Sequence, residues 1–223
     1  MDQQFANLKS SFLARLGSGS ACRSISGSVV VWGAHHDIPA SSDLYGIPFP
    51  GTLADIFKDY HDAILLVHRG QKQVRSTVGH KLMESHPYAA QRFEQAHRHL
   101  KEIKKILTDG DLDAFVALVK REALTLHAMM MTSSPYFMLM KPHTLCIIDS
   151  VWEFRRKTGI PLCFTLDAGA NVHLLYPGTY SEKVLQFIKN ELVAYCENGQ
   201  YICDRVGEGT LISSDRSLFG NKM

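Results

Sequence analysis

Apolar residues recur at helical spacing near the start of the chain. Phe5, Leu8, Phe12, Leu13 and Leu16 predict an amphipathic helix over residues 2–16, closed by Gly17. Ile25 to Trp32 is rich in Val and Ile and predicts a strand. Residues 33–57 break the pattern. They carry His35, His36, Pro39, Pro48 and Pro50 among Ser, Asp and Gly, and predict an irregular connection with a change of structural unit near its end. Asp62 to His68 predicts a buried strand, and Arg69 to Gly79 a polar loop containing Lys72, Arg75, Ser76 and Thr77.

From Pro87 to Leu107, the positions Phe93, Ala96, Leu100, Ile103 and Leu107 alternate spacings of three and four, with charged residues and His between them. They predict a helix with that apolar stripe inward. Asp109-Gly110-Asp111 stops it and caps a second helix, whose buried stripe is Leu112, Phe115, Val119, Ala123 and Leu126, and the short link predicts antiparallel packing. Met129 to Met140 is methionine-rich and reads as an adaptable apolar lining. A further helix runs from Pro142 to Lys157, with proline at its start and Gly159 after its end. Leu162 to Thr165 and Val172 to Tyr176 are short apolar runs on either side of a turn, Leu166-Asp167-Ala168-Gly169-Ala170-Asn171. Ser181 is expected to cap a helix to Cys196, Asn198-Gly199 to end it, and Tyr201 to Val206 to form a last strand. Helices and strands are mixed without a regular βαβ alternation, so the fold class is α+β.

A chain of 223 residues with 45% hydrophobic content can bury a substantial core. Its formal net charge of +2 supplies no global field for nucleic acid or a membrane surface, so an anion must be recognised locally. Five dispersed cysteines, none in a C-x-x-C pair, argue against a disulfide framework or a zinc ribbon and fit a reducing, cytoplasmic compartment. The start of the chain lacks the basic and apolar regions of a signal peptide, and no apolar run approaches a membrane span.

Two stretches carry candidate chemistry. Gly17-Ser18-Gly19-Ser20-Ala21-Cys22-Arg23-Ser24 combines small residues, hydroxyls and a guanidinium, which suits close backbone approach to an anion; the same composition also suits a flexible linker. Asp167 sits between apolar runs. It reads either as a turn-forming Asx residue or as a general base held away from bulk water by apolar surroundings. Lys120 and His127, seven residues apart, share a helix face and are either an anion-binding pair or a solvated lysine beside a boundary histidine. The close histidine pairs, His35-His36 and His97-Arg98-His99, lack the i, i+4 spacing and a completing carboxylate or cysteine, so no metal site is expected. Cys22 has no assignable histidine partner and reads as a small buried residue.

The Gly17 to Ser24 stretch with Trp32, then Ser76-Thr77-Val78-Gly79, then Leu166-Asp167-Ala168-Gly169-Ala170-Asn171, resembles the mevalonate diphosphate decarboxylases of the GHMP kinase superfamily in order and spacing. The resemblance implies a two-lobe GHMP-kinase-like architecture. Residues 1–57 would be the remnant of an incomplete N-terminal, ribosomal S5 domain 2-like lobe, and residues 58–223 a complete C-terminal lobe. It implies use of ATP and Mg²⁺ to phosphorylate the tertiary hydroxyl of mevalonate 5-diphosphate, followed by loss of phosphate and CO₂ to give isopentenyl diphosphate. Asp167 would orient or deprotonate that hydroxyl, Arg23 would hold the substrate carboxylate, and Ser18, Gly19, Ser20, Ser76 and Thr77 would bind substrate. Ala170 replaces the proline common in the family's Asp-Ala-Gly-Pro-Asn motif, which should relax the turn. The family's lysine segment and phosphate loop precede the first helix and are not in this sequence, so the chain is expected to be the C-terminal part of such an enzyme, with its activity alone in doubt. A related GHMP small-molecule kinase and a non-catalytic remnant are the alternatives. The apolar surface left by the absent strands is expected to drive self-association, a homodimer being the simplest product.

Overall fold

The computed structural model describes residues 3–70 and 81–210. The chain divides into two compact units, Met1–Gly51 with Val206–Met223, and Thr52–Arg205.

In the first unit, helix α1 spans Gln3–Gly17, with Phe5, Leu13 and Leu16 of its apolar spacing exposed, and a 3-10 turn follows over Gly19–Ser24. The strand expected over residues 25–32 is shorter: only Val30–Trp32 forms β1. The reason lies in Gly27 and Ser28. Ser28 adopts a left-handed φ of 61°, and at Gly27 the backbone of Glu208 crosses so closely that an added Cβ would lie 2.2 Å from its carbonyl carbon. Ser26 instead bridges Gly209, the Ser28 amide donates to the Gly207 carbonyl (2.7 Å), and Thr210 binds the Ile25 carbonyl through both its amide and its hydroxyl. The stretch expected to be irregular contains a second strand, β2, Gly46–Pro48, which pairs antiparallel with β1 in the register Val31↔Ile47. Ser11 is buried between these parts: its hydroxyl donates to the Cys22 carbonyl (2.8 Å) and accepts from the Gly46 amide (2.9 Å). One side chain thereby joins α1, the 3-10 turn and β2.

The second unit is built on a four-stranded antiparallel sheet of β3 (Tyr60–Leu65), β4 (Cys163–Leu166), β5 (Val172–Pro177) and β6 (Tyr201–Arg205), in the order β4-β5-β3-β6. β3 begins two residues earlier than the apolar run suggests and ends at Leu65. Alternate residues Ala63 and Leu65, Phe164 and Leu166, and Val172, Leu174 and Tyr176 share one face. That face packs on Ile147, Ile148 and Val151 of α4 (Pro142–Thr158) and on Val184, Ile188 and Leu192. α4 has the predicted ends, with proline first and Gly159 at φ 69° after it. The last helix differs from expectation. Ser181 does not cap it but opens it after a 3-10 turn, α5 proper covers Ser181–Phe187, and the chain continues as a π turn over Ile188–Leu192 and a 3-10 turn over Val193–Tyr195.

Helices α2 (Ala89–Asp109) and α3 (Leu112–Met131) form the expected hairpin around Gly110, with the Asp111 carboxylate accepting from the Ala114 amide (3.0 Å). The inner line of α2 keeps part of the predicted apolar stripe, with Leu107 buried and Ala96, Leu100 and Ile103 half-buried, and departs from it near its start. Phe93 is exposed, whereas Arg92, His99 and Ile106, seven apart, turn inward. Glu122 of α3 is the cause: Arg92 grips it with both terminal nitrogens, and the His99 ring bonds the same carboxylate. Burial raises the Glu122 carboxyl, but the hydrogen bonds and charge attraction from Arg92 and His99 together outweigh it and hold the group below its usual range. No helix among the described residues is long and apolar enough to cross a membrane.

Candidate functional site

Asp167 leads the turn between β4 and β5, and the sequence around it folds into a hairpin because small residues follow immediately. The Gly169 amide closes the turn on the Asp167 carbonyl (2.7 Å). Three other segments hold its backbone or its end. His127 of α3 places Nε2 3.1 Å from the Asp167 carbonyl; a carbonyl only accepts, so that nitrogen carries the proton. The Thr144 hydroxyl, fully buried in the first turn of α4, donates to the Ala170 carbonyl (2.7 Å) and accepts from the Lys141 amide (3.1 Å). The Asn171 side-chain oxygen accepts from the His68 amide (2.9 Å), beyond the end of β3. Ala170 is buried, with its carbonyl held by Thr144.

The histidine behind this turn is 1% exposed, and burial pushes its pKa below the ordinary range more than the bond to the carbonyl raises it. It is a neutral donor that positions backbone. The Asp167 side chain itself is exposed, which corrects the expectation that apolar surroundings hold it away from water. The carboxylate projects from a turn whose backbone is fixed, an arrangement that suits orienting or deprotonating a bound hydroxyl.

Beside the turn lies a cavity of about 360 Å³. Ala168 to Asn171 form one wall, Leu139 and Ile202 contribute apolar surface, and Arg69 and Lys141 bring positive charge. Neither cation stood out in the sequence, because they come from separate segments with no motif between them. Lys120 and His127 do not form a joint site: Lys120 lies in a separate surface depression with Arg121.

In the first unit, Gly19, Ser20 and Arg23 share one short 3-10 segment that Ser18 directly precedes, and all four are exposed, whereas Cys22 is 1% exposed. Burial pushes the Cys22 thiol up, against the lowering effect of Arg23 and Arg15, so it is a packed residue and no nucleophile. Gly19 rests on the Trp32 ring, where an added Cβ would lie 2.9 Å from Cη2, and Trp32 is anchored through Nε1 to the Asp43 carbonyl (3.0 Å). This contact explains locally why the stretch pairs with that tryptophan. Arg23 belongs to the first unit and Asp167 to the second. Ser76 and Thr77 lie outside the described residues.

The histidine pair His35-His36 does have a carboxylate beside it, contrary to expectation. One ligand atom from each of His35, His36 and Asp37 lies within 4.8 Å of the others, although the Asp37 amide already donates to His35 Nδ1 (3.1 Å).

The family described as mevalonate 5-diphosphate decarboxylase C-terminal domain matches residues 63–215. The diphosphomevalonate decarboxylase of Ganoderma lucidum is 28% identical over 183 residues, covering 79% of this chain and 45% of that protein. The phosphomevalonate decarboxylase of Haloferax volcanii is 24% identical over 212 residues, 94% of this chain and 60% of that protein. Among solved structures, mevalonate diphosphate decarboxylase from Staphylococcus aureus has a TM-score of 0.76 at 26% identity, covering 91% of this chain and 59% of that one. MDDEF in complex with MVAPP, AMPPCP and magnesium has a TM-score of 0.75 at 25% identity, again covering 91% and 59%. The chain thus spans about half the length of the curated relatives it matches, 45% in the Ganoderma case. With the match running over most of its residues, including the whole Asp167 turn, this chain belongs to the mevalonate 5-diphosphate decarboxylase family and carries that family's C-terminal domain.

Proposed function

We propose that the protein carrying this chain catalyses ATP-dependent decarboxylation of mevalonate 5-diphosphate to isopentenyl diphosphate. The observation that carries the reading is the Asp167 turn, a carboxylate exposed on a backbone held from α3, α4 and the segment after β3. ATP supplies the phosphoryl group, with Mg²⁺ balancing its charge; the neighbour bound to AMPPCP and magnesium supports this pairing.

Asp167 orients the tertiary hydroxyl and takes its proton as the oxygen is phosphorylated. The C–O bond then breaks with its electron pair leaving on phosphate, and the pair freed as CO₂ departs forms the new double bond. Arg23 orients the substrate carboxylate through its planar fork, and Ser18, Gly19 and Ser20 supply the wall of small polar residues around it. Ser76 and Thr77 are assigned to the same substrate by resemblance.

The test is ATP-dependent CO₂ release from mevalonate 5-diphosphate by the natural protein that contains this chain. Asp167→Asn should abolish turnover while leaving thermal unfolding unchanged. Full turnover by that variant would refute the role of Asp167. The broad coverage by the Haloferax relative favours one second reading, mevalonate 5-phosphate as substrate, and the ratio of kcat/KM on the two substrates decides between them.

A further inference from the structure

The cavity beside the Asp167 turn carries two positive side chains, Arg69 and Lys141, that no part of the reaction above uses. Among the described residues, neither meets a carboxylate with its charged group. The Arg69 guanidinium bonds the neutral Gln200 side chain, and it is the Arg69 amide, not its guanidinium, that binds Glu197 (2.7 Å). Among the described residues no acidic side chain lines the cavity, and the remaining polar lining is His68 and Asn171, the latter's oxygen being taken by the His68 amide. Lys141 also stands directly before the first turn of α4, whose free end carries partial positive charge of the same sign. Two cations whose charged groups meet no carboxylate among the described residues, in a partly apolar hollow of about 360 Å³, are complementary to a small, doubly charged anion rather than to a neutral ligand.

We propose that this cavity is a binding site for a phosphate-class dianion, held by Arg69 and Lys141 against the wall formed by Ala168 to Asn171. A planar guanidinium and a compact ammonium together match the oxygens of a phosphate group, supplying a fork and a point charge. The anion is either a phosphate group of the substrate or the inorganic phosphate released from it. Its coupling to turnover rests on the reading of Asp167 given above, whereas the binding itself does not.

The experiment is calorimetric titration of the natural protein with inorganic phosphate and with pyrophosphate, using wild type, Arg69→Gln, Lys141→Gln, Lys141→Arg and the remote control Lys120→Gln. Loss of a charge-assisted contact predicts affinity weaker by about tenfold or more in each Gln variant. Lys141→Arg and Lys120→Gln should bind as wild type does. Absence of binding by wild type, or equal binding by Arg69→Gln and Lys141→Gln, overturns the proposal. Kinetics separate the two sources: a raised KM in the Gln variants identifies a substrate phosphate, and an unchanged KM with weaker product inhibition by phosphate identifies the released one. If neither quantity moves, the site is not part of turnover and that assignment falls. A protein that releases no CO₂ yet loses phosphate binding in these variants would sink the decarboxylase reading and leave the site standing.

Discussion

Replacing Thr144 by Val is the sharpest probe of what holds the Asp167 turn. The two side chains have nearly the same shape, so the change removes a hydroxyl without opening a void. Thr144 is fully buried, and two hydrogen bonds disappear with its oxygen: the one it donates to the Ala170 carbonyl and the one it accepts from the Lys141 amide. Ala170 is 7% exposed, so its carbonyl is left without water as well as without a partner, at about 1–3 kcal/mol. The Lys141 amide is half-buried and can recover some solvation, which adds about 1 kcal/mol. The sum is about 2–4 kcal/mol, equivalent to a fall in Tm of roughly 5–15 °C for a domain of this size. Denaturant and thermal unfolding of wild type, Thr144→Val and Thr144→Ser give the comparison, because Ser keeps the hydroxyl and loses only the methyl group. Thr144→Val within about 0.5 kcal/mol of wild type, or Thr144→Ser falling as far as Thr144→Val, would refute the account of the turn.

His127 and His173 predict opposite pH limbs. His127 is pushed down by burial, so below about pH 6.5 the unfolded chain takes up the proton first; the stability it contributes is complete above that pH and lost as pH falls through its lower folded value, and His127→Gln should flatten the acid limb of a stability curve. His173 is raised by its hydrogen bond to Asp62 (2.8 Å), so its contribution is complete below about pH 6.5 and lost as pH rises through its higher folded value, a loss that His173→Gln should remove. Tyr60 packs between Phe57 and Phe115 with its hydroxyl buried and without a hydrogen-bond partner among the described residues, and burial pushes its pKa up. Tyr60→Phe should therefore be as stable as wild type or more stable by up to ~1 kcal/mol in urea unfolding, and a loss larger than that would show that the hydroxyl is satisfied.

Elements whose determinants are local were readable in the sequence. Pro142 and Gly159 bracket α4, Gly110 and Asp111 define the α2–α3 link, and the Asp167 turn lies between two short apolar runs that become β4 and β5. Features decided by distant partners were not. β2 is three residues long and ends in proline, so its pairing with β1 leaves no alternation to read. Arg92 and His99 turn inward beside the apolar stripe of α2 because Glu122, on another helix, makes burial of polar groups favourable. The candidate site divides in the same way. Asp167 and its small neighbours form a contiguous motif, but His127, Thr144, Arg69 and Lys141 reach the turn or its cavity from separate segments. Of these only His127 drew notice in the sequence, and for a partner, Lys120, that it does not share a site with.

The hydrogen bonds between residues 25–28 and 207–210 also fix an order of events during synthesis. Thr210 and Ile25 are 185 positions apart, so the first unit cannot close until nearly the whole described chain has been made. At ordinary elongation rates that is a wait of roughly 10–40 s. Three strands of the second unit, β3, β4 and β5, are made by Pro177 and can pair within that interval, whereas β6 ends only five residues before Thr210. Nascent chain halted after β5 would therefore hold three paired strands and an open first unit, with the backbone around Gly27 unpaired and accessible to chaperones, proteases or another copy.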